Sequence, residues 1–438
     1  MLWGAKMKKI KIGVLGGYRG TSMISYCKKA DNAEIVAICD KSPEVLEAQK
    51  ERAEGYDITF YDNFDEFIEH DMDAVVLANY ANEHAPFAIK AMKKGKHVFS
   101  EVLPVQTMKE AVELIEAVEE TGMIYAYGEN YCFMPAPYEM KKLYGEGKIG
   151  EIEYAECEYI HNCAPIWHAL TYGEKDHWRN NMYSTFYCTH SLGPIIHATG
   201  LRPVSVVGFE SSNNHRGIKG GNKSGSFAVE MVTLENGALI KSIHGGLYVD
   251  SIWFSMYGSK GRMECGREVP DSGRIRKIYI KSDEIAEAYK ITEESYEPKR
   301  ELDEQGGNFG HGGSDFYVMW NFAEKIKGNP EADIIDVYEA IDMFLPGILG
   351  YRSILNGNIP IDIPNLRDKK ARDEWRNDTA CTIPEVAGDM LLPTCATGTP
   401  EIEDEIYDRM KKLWEEECEK KDGSYRASTF KQGMRKKN

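Results

Sequence analysis

Short apolar runs alternate with amphipathic stretches through the first third of the chain, and this alternation restricts the fold more than any other feature. The strand-like runs are KKIKIGVLG (8–16), AEIVAICD (33–40), DAVVLAN (73–79), KHVFSE (96–101) and MIYAYGEN (123–130). The stretches with helical spacing of apolar residues are 21–30, 83–95 and 108–122. Such alternation predicts a parallel sheet with helices on both faces, which binds ligands at the carboxyl ends of its strands.

The sequence pattern changes near Gly150. The segment EIEYAECEYIHN (151–162) alternates with period two, and further strand-like segments follow, separated by turn signals such as Glu-Asn-Gly at 235–237. Helical stretches at 313–327 and 336–356 come next. We therefore predict an α/β protein in which a doubly wound parallel sheet of the Rossmann type precedes an α+β domain with an open, mostly antiparallel sheet.

Composition limits the partners of this chain. The formal net charge of −17 would repel nucleic acid and anionic membrane surfaces. No apolar run approaches the roughly 18 residues of a membrane span, and the N-terminus lacks the features of a signal peptide. The ten cysteines form no Cys-x-x-Cys pair, a usage that fits a reducing cytosol. We expect a cytoplasmic protein with no nucleic-acid or membrane partner.

A glycine-rich turn, GVLGGYRG (13–20), lies where the first strand meets the first helix. Glycines there let the backbone turn tightly and approach a pyrophosphate at the helix N-terminus. The spacing Gly16-Gly17-Tyr18-Arg19-Gly20 is one residue shorter than the usual Gly-x-Gly-x-x-Gly. Taken alone, the segment therefore also fits an ordinary glycine turn.

Asp40 strengthens the case for a dinucleotide. It ends the second strand, 24 residues after Gly16, where a carboxylate can bind both ribose hydroxyls. The same carboxylate would repel a 2′-phosphate, which favours NAD over NADP. The segment ANYANEH (78–84) follows the next core strand, so its polar groups would line the same edge. The predicted cofactor-binding residues are Gly16, Gly17, Tyr18, Arg19, Gly20, Asp40, Asn79, Asn82, His84, Glu101 and Asn130.

The length of 438 residues exceeds that of one ordinary domain. We predict an NAD-binding domain at 1–130, a substrate-binding and catalytic domain at 131–365, and a C-terminal extension at 366–438. The extension is expected to hold one amphipathic helix, at 400–421, and a frayed basic tail.

The segment DAVVLANYANEHAPFAIKAMKKGKHVFSE (73–101) strongly resembles the glucose–fructose oxidoreductase and inositol dehydrogenase family (Gfo/Idh/MocA), and the resemblance covers roughly residues 8–360. It implies a Rossmann domain followed by an open-faced sheet. Most dehydrogenases of that family carry Glu-Lys-Pro after the GKHV strand, and the lysine helps to handle the substrate proton. Here the chain reads Ser-Glu-Val-Leu-Pro at 100–104, without the lysine.

A narrower resemblance joins GENYCFMPAPYEMKKLYGEGKIGEIEYAECEYIHN (128–162) and YCTHSLGP (187–194) to the NAD-dependent α-N-acetylgalactosaminidases, a glycoside hydrolase branch of the same superfamily. The positions that match the active site of this branch are Glu129, Asn130, Tyr159, His161, Tyr187 and His190. Cys188 and Ser191 replace a proline and a glycine of the branch, and Asp-Leu-Arg does not follow His161.

The resemblance implies an NAD-dependent enzyme that acts on a sugar or glycoside. Hydride leaves carbon 3, the resulting ketone acidifies the hydrogen on carbon 2, and the group on carbon 1 leaves by elimination. Water then adds, and the hydride returns, so that glycosidic cleavage is redox-neutral. Such chemistry requires acid–base groups of near-neutral pKa, whereas the cofactor carries the difficult step.

Spacing within the matched segments suits this chemistry. Tyr187 and His190 share one face of a helix at i and i+3, and Tyr159 and His161 share one face of a strand. An imidazole with a pKa of about 6.5 suits proton removal from the carbon 3 hydroxyl, which we expect of His190. Tyr159 and His161 are expected to act at carbon 2 or on the leaving group. The predicted catalytic residues are Tyr159, His161, Tyr187, His190 and Glu129.

Three further residues are candidates for substrate binding. Trp178 offers a stacking face and Arg179 a partner for sugar hydroxyls, although a solvated loop fits HWRNN (177–181) equally well. His311 could reach the substrate, and Asp315 could cap the helix that follows. The histidines at 161, 177, 190 and 311 lack the tight spacing of metal ligands, so we expect no metal.

Two other functions remain open. A sugar 3-dehydrogenase would stop after oxidation and release a 3-keto product, and a non-catalytic NAD-binding sensor would need none of the proton-transfer residues. The expected partner is a small carbohydrate or glycoside. We also expect a homo-oligomer, since the open sheets of this family often pack against one another.

Overall fold

The protein is described by a computed structural model that covers residues 8–266, 278–283, 291–307 and 309–419. The predicted basic tail lies outside these described residues. The chain divides into two compact units. The described residues of the first unit fall within Met1–Gln106, Glu110–Asn130 and Glu301–Ala340, and those of the second within Thr107–Lys109, Tyr131–Arg300 and Ile341–Asn438. The three-part division with boundaries at 130 and 365 stays a prediction.

Six parallel strands form the sheet of the first unit. They are β1 (Ile10–Leu15), β2 (Ala33–Cys39), β3 (Thr59–Tyr61), β4 (Ala74–Leu77), β5 (His97–Ser100) and β6 (Tyr125–Tyr127). Their order is β3-β2-β1-β4-β5-β6, so the strand order reverses between β1 and β4. A parallel sheet binds its ligand at such a reversal, beside the carboxyl ends of the strands. β3 was not predicted from the sequence, because it is a short edge strand with no fully buried residue.

Helices of this part of the chain cover the sheet. They are Thr21–Lys29, Pro43–Arg52, Phe64–Phe67, His84–Lys93, Met108–Thr121, Asp303–Gly306 and Ser314–Ile326. The last of these packs on the first, because the rings of Tyr26 and Phe316 lie 5.3 Å apart and Asn32 donates a 2.9 Å hydrogen bond to Glu324. This packing brings a late segment of the chain to the first βα turn.

The second unit holds a nine-stranded sheet. Its strands are β7 (Ile152–Ile160), β8 (Pro203–Ser211), β9 (Phe227–Leu234), β10 (Leu239–Gly245), β11 (Ser251–Gly258), β12 (Gly261–Cys265), β13 (Ile278–Asp283), β14 (Ile291–Tyr296) and β15 (Ile361–Asp362). The order is β14-β13-β12-β11-β7-β10-β9-β8-β15. Only β7 and β10 pair in parallel among these strands, so the sheet is mostly antiparallel and the predicted fold class is confirmed.

The remaining helices lie wholly or mostly in the second unit. They are Pro135–Gly145, Trp167–Leu170, Thr189–Thr199, His215–Ile218, Val337–Leu355, Lys369–Trp375, Pro384–Ala387 and Asp404–Glu419. The helix Thr189–Thr199 packs on β7, β10 and β11 and ends at Gly200, whose φ of 67° lies in the left-handed region that glycine favours. No helix among the described residues is long and apolar enough to cross a membrane.

The C-terminal part differs from the single helix that the sequence indicates. The helices Lys369–Trp375 and Pro384–Ala387 precede the expected one, Asp404–Glu419. Both are too short to show helical periodicity in the sequence, and local caps start them: Asp368 accepts from the Lys370 N–H, and Pro384 occupies the first position.

Candidate active site

The glycine turn after β1 is closely packed. Gly16 has a φ of +92°, and a Cβ there would lie 2.3 Å from the Ala78 carbonyl oxygen at the end of β4. A Cβ on Gly20 would lie 2.5 Å from the Gly16 oxygen. Only glycine fits these two positions, because a Cβ would collide with the backbone. A glycine turn at a helix N-terminus is the kind of backbone that a pyrophosphate can approach closely.

Asp40 supports the turn at the end of β2. Its carboxylate accepts hydrogen bonds from the Gly17 N–H at 2.8 Å and the Ser42 N–H at 2.9 Å. The buried Gln49 donates to the Gly17 carbonyl at 2.6 Å. Gln49 was not predicted from the sequence. It lies one turn after the apolar Val45, so its spacing could have indicated a polar group on the buried face of the helix.

Polar groups follow β4 in the same unit. His84 is buried, its Nδ1 lies 2.9 Å from the Leu103 carbonyl, and burial lowers the pKa of its imidazole to about 4. Its Nε2 and the Oδ1 atoms of Asn79 and Asn82 are buried and have no hydrogen-bond partner among the described residues. Buried polar atoms are normally paired, so these atoms fit a bound polar ligand.

A charged cluster lies beside the glycine turn. Arg19 donates to Glu101 at 2.7 and 3.2 Å, and its Nη1 lies 3.5 Å from Asp315. Asp315, fully buried, also accepts from Asn130 Nδ2 and from His311 Nδ1, each at 2.9 Å. Burial opposes the charge of the guanidinium, but the two carboxylates raise the pKa of Arg19. Asp315 therefore contacts Arg19 and Asn130, two of the predicted cofactor residues, whereas the sequence indicated only a helix cap at this position.

These groups fit NAD. The glycine turn lies at a helix N-terminus, where a pyrophosphate is expected, and Asp40 ends β2, where the ribose hydroxyls are expected. Glu129, which is fully buried, and Asn130 follow β6, and only Gly128 separates Glu129 from the end of the strand. Tyr18 lies in the turn between Gly17 and Arg19.

An aromatic cluster forms in the second unit. The His190 ring lies 4.5 Å from Tyr131, 4.6 Å from Tyr159 and 5.8 Å from Tyr187, measured between ring centroids. Tyr159 and His161, two residues apart on and just after β7, have centroids 6.0 Å apart. The structure thus brings together the four candidates of this unit. It adds Tyr131, which was not among the residues predicted from the sequence.

Arg179 joins this cluster through Tyr187. Its Nη1 donates to the Tyr187 hydroxyl at 2.8 Å, and its guanidinium lies 4.6 Å from the ring centre of Trp178. Trp178 is almost fully buried, and the Nδ1 of His177 accepts from the Arg179 N–H. The cation is therefore fixed beside a phenol oxygen.

His161 lies between a thiol and a carboxylate. Its Nδ1 is 3.3 Å from Asp250 Oδ2, and Asp250 also accepts from the Asn162 N–H at 2.6 Å. A hydrogen bond with Cys163 and the charge of Asp250 outweigh burial and raise the pKa of His161 to about 9. Cys163 and Asp250 were absent from the sequence-based site, since neither belongs to a matched motif.

The candidate residues divide between the units. Glu129 and His311 lie in the first unit with the cofactor residues, whereas Tyr159, His161 and Tyr187 lie in the second with His190, Trp178 and Arg179. Among the described residues, no group of three or more His, Cys, Asp or Glu side chains is arranged to hold a metal ion.

Comparison with known proteins places the chain in a class and then in a family. Residues 10–129 match the oxidoreductase family with an NAD-binding Rossmann fold (Gfo/Idh/MocA), so this is an NAD-binding enzyme of the oxidoreductase type. Residues 139–376 match the C-terminal domain of glycosyl hydrolase 109. The chain belongs to the glycosyl hydrolase 109 family and is an enzyme that acts on carbohydrate. The predicted resemblance and cofactor are confirmed.

Curated relatives span most of the chain. A glycosyl hydrolase family 109 protein of Solibacter usitatus is 28% identical over 84% of this chain and 89% of its own length. An alpha-N-acetylgalactosaminidase of Shewanella oneidensis is 23% identical over 85% of this chain and 87% of its own.

Solved structures share the fold. A levoglucosan dehydrogenase in complex with NADH superposes with a TM-score of 0.66 at 17% identity, over 82% of this chain and 100% of that one. The aldose-aldose oxidoreductase of Caulobacter crescentus, complexed with glycerol, gives a TM-score of 0.64 at 18% identity, over 81% and 100% of the two chains.

Proposed function

We propose that this protein is an NAD-dependent glycoside hydrolase that cleaves its substrate through a transient ketone at carbon 3. NAD held by residues of the first unit would supply a reversible acceptor for the carbon 3 hydride, so the net reaction would be hydrolysis. The relative named alpha-N-acetylgalactosaminidase supports this class of reaction. The observation that carries the proposal is the set of tyrosine rings packed around His190 in the second unit.

His190 and Tyr159 take the first two protons. His190 accepts the proton of the carbon 3 hydroxyl as the hydride leaves. The ketone then acidifies the hydrogen on carbon 2. Tyr159, whose ring centroid lies 4.6 Å from that of His190, acts as a phenolate that has lost its own proton to solvent, and it removes the carbon 2 proton as the bond between carbon 1 and the leaving oxygen breaks. The same groups return these protons in reverse order after water adds its hydroxide to carbon 1.

His161 suits protonation of the leaving oxygen. Because the pKa of His161 is raised to about 9, its imidazole carries a proton at neutral pH. Asp250 accepts from Nδ1–H and fixes the ring. Loss of the proton to the leaving group completes the elimination, and water replaces it.

Tyr187 and Arg179 support the same reaction. The guanidinium, which donates to the Tyr187 oxygen at 2.8 Å, fixes this hydroxyl beside the cluster and has other N–H groups that could bind sugar hydroxyls. Trp178 packs under the guanidinium and holds it in place. The role of Trp178 as a stacking face for substrate stays a prediction, as do homo-oligomeric assembly and a cytoplasmic location.

Residues of the first unit would hold NAD. The turn Gly16–Gly20 would bind the pyrophosphate, and Asp40 the adenosine ribose. The Oδ1 atoms of Asn79 and Asn82 supply polar groups at the β4 end. We place Glu129 and Asn130 toward the nicotinamide, since they follow β6 at the carboxyl edge of the sheet.

A sugar 3-dehydrogenase is the second candidate. The lysine of related dehydrogenases is replaced by Val102, which disfavours simple oxidation, whereas Cys163 occupies the segment after His161 where the hydrolase branch differs. A change beside the proposed leaving-group acid would leave oxidation intact and impair cleavage. The release of a 3-keto glycoside is therefore the outcome that competes with hydrolysis.

Incubation with aryl glycosides of both anomers in deuterated water tests the proposal. Free sugar with deuterium at carbon 2 and no build-up of NADH is the expected result. A keto product with NADH and no deuterium would overturn elimination and establish the dehydrogenase. Binding of NAD without any product, together with unchanged behaviour of a Tyr159→Phe variant, would favour a non-catalytic sensor.

A further inference from the structure

Four charged or titratable side chains of the first unit form one cluster beside the glycine turn. They are Arg19, Glu101, Asp315 and His311. The turn that carries His311 packs on the helix Thr21–Lys29, because a Cβ on Gly310 would lie 3.5 Å from Ser22 Oγ. The cluster therefore adjoins a helix N-terminus and glycine turn of the kind that binds pyrophosphate.

The backbone and a buried carboxylate hold His311 in place. Its φ of 52° lies in the left-handed region, and the glycines at 312 and 313 also have positive φ. Asp315 is only 1% exposed and accepts the Nδ1–H at 2.9 Å, while the His311 side chain stays 38% exposed. A strained, fixed imidazole of this kind is typical of a functional site.

The charge of the cluster depends on His311. Two carboxylates, Glu101 and Asp315, face the guanidinium of Arg19, so these three side chains together with a neutral His311 sum to one negative charge. Protonation of His311 makes the cluster neutral. A neutral cluster repels the two negative charges of a dinucleotide pyrophosphate less than a negative one does.

We propose that His311 contributes to binding of the cofactor and that Asp315 positions its imidazole. Protonation of His311 is coupled to binding of the NAD pyrophosphate. This assignment differs from the substrate-binding role expected from the sequence. It rests on the NAD-binding domain and not on the proposed sugar chemistry, so failure of one leaves the other standing.

The direction of the coupling follows from the charges. Asp315 raises the pKa of His311 against the effects of burial and of Arg19, and Glu101 adds to the rise. A bound pyrophosphate raises this pKa further. Binding therefore takes up protons at pH values where His311 of the free protein is partly deprotonated, and NAD binds more weakly as the pH rises.

Calorimetric titration of NAD into the full-length protein, in phosphate and in Tris at the same pH near 8, measures this uptake. We expect a fraction of a proton per NAD bound, and a dissociation constant that rises by up to about tenfold per pH unit. His311→Gln is expected to abolish both effects. No uptake by the unaltered protein, or full uptake by the variant, would overturn the proposal.

Two controls sharpen the result. His215→Gln, which changes an exposed histidine of the second unit, should leave uptake unchanged. ADP-ribose, which has the pyrophosphate without the nicotinamide, should give the same uptake as NAD. Uptake with NAD alone would assign His311 to the nicotinamide and overturn the pyrophosphate assignment. The buffer comparison on the unaltered protein decides the matter even where a variant fails to fold.

Discussion

Glu230 and His244 form a buried pair of ionisable groups on the sheet of the second unit. Both side chains are fully buried, and Oε2 of Glu230 lies 3.9 Å from Nε2 of His244. Burial raises the pKa of Glu230 to about 8 and lowers the pKa of His244 to about 3. Both groups are therefore neutral in the folded protein between these values, and no ion pair forms near neutral pH.

Glu230→Gln should stabilise the protein increasingly as the pH rises. The unfolded chain loses the Glu230 proton near pH 4.5, whereas the folded protein keeps it to about pH 8. Over this interval the free energy of the unfolded state falls by about 1.4 kcal/mol per pH unit relative to the folded state. The free energy of unfolding therefore falls by up to about 5 kcal/mol. Glutamine has the same shape and no proton to lose. The stability difference should be near zero below pH 4.5 and several kcal/mol at pH 8.

Urea unfolding followed by circular dichroism at pH 5, 6, 7 and 8 measures this difference. Glu153→Gln is the matched control, because Glu153 is exposed on β7 and its ionisation carries no burial cost. A difference that does not change with pH, or a Glu230→Gln variant that is less stable at every pH, would refute a protonated buried carboxyl group.

Three further variants test the site. Gly16→Ala should abolish NADH binding, measured by cofactor fluorescence, because its Cβ would lie 2.3 Å from the Ala78 oxygen; retained affinity would contradict the packing of the turn. His190→Asn should lower turnover by about 10²-fold or more with NADH binding unchanged, and a smaller loss would remove His190 from the proton path. His161→Gln should remove the fall in turnover as pH rises through about 9, and survival of that alkaline limb would assign it to another group.

The fold could be predicted from the sequence because most of its strands are apolar runs of residues. β4 is Ala-Val-Val-Leu with every residue buried, and β7 alternates as a sheet with two different faces requires. β3 and the helix Lys369–Trp375 were missed, since three or seven residues carry too little periodicity. The packing of 301–340 with the first unit leaves no local pattern in the sequence, because it depends on contacts such as that of Phe316 with Tyr26.

Residues of the candidate site could be predicted from the sequence only where they lie within one contiguous motif. Tyr187 and His190 are neighbours in the sequence and in space. Asp250, by contrast, lies 89 residues from His161 along the chain and meets it only because β11 pairs with β7. Asp315 is likewise distant from Arg19. Residues that contact a motif from another strand or helix leave no local pattern, so spacing arguments indicate candidate proton carriers and miss the groups that set their pKa.

The histidines illustrate how this tuning divides structural from chemical roles. His84 and His244 are fully buried without a bound carboxylate, and burial lowers the pKa of each, so both stay neutral. His161 and His311 are each more than a third exposed. A hydrogen bond with Cys163 and the charge of Asp250 raise the pKa of His161, and the charge of Asp315 raises the pKa of His311. Exposure lowers the cost of the charge and the carboxylate stabilises it. Of these four histidines, therefore, only His161 and His311 hold a proton more tightly than a free imidazole does.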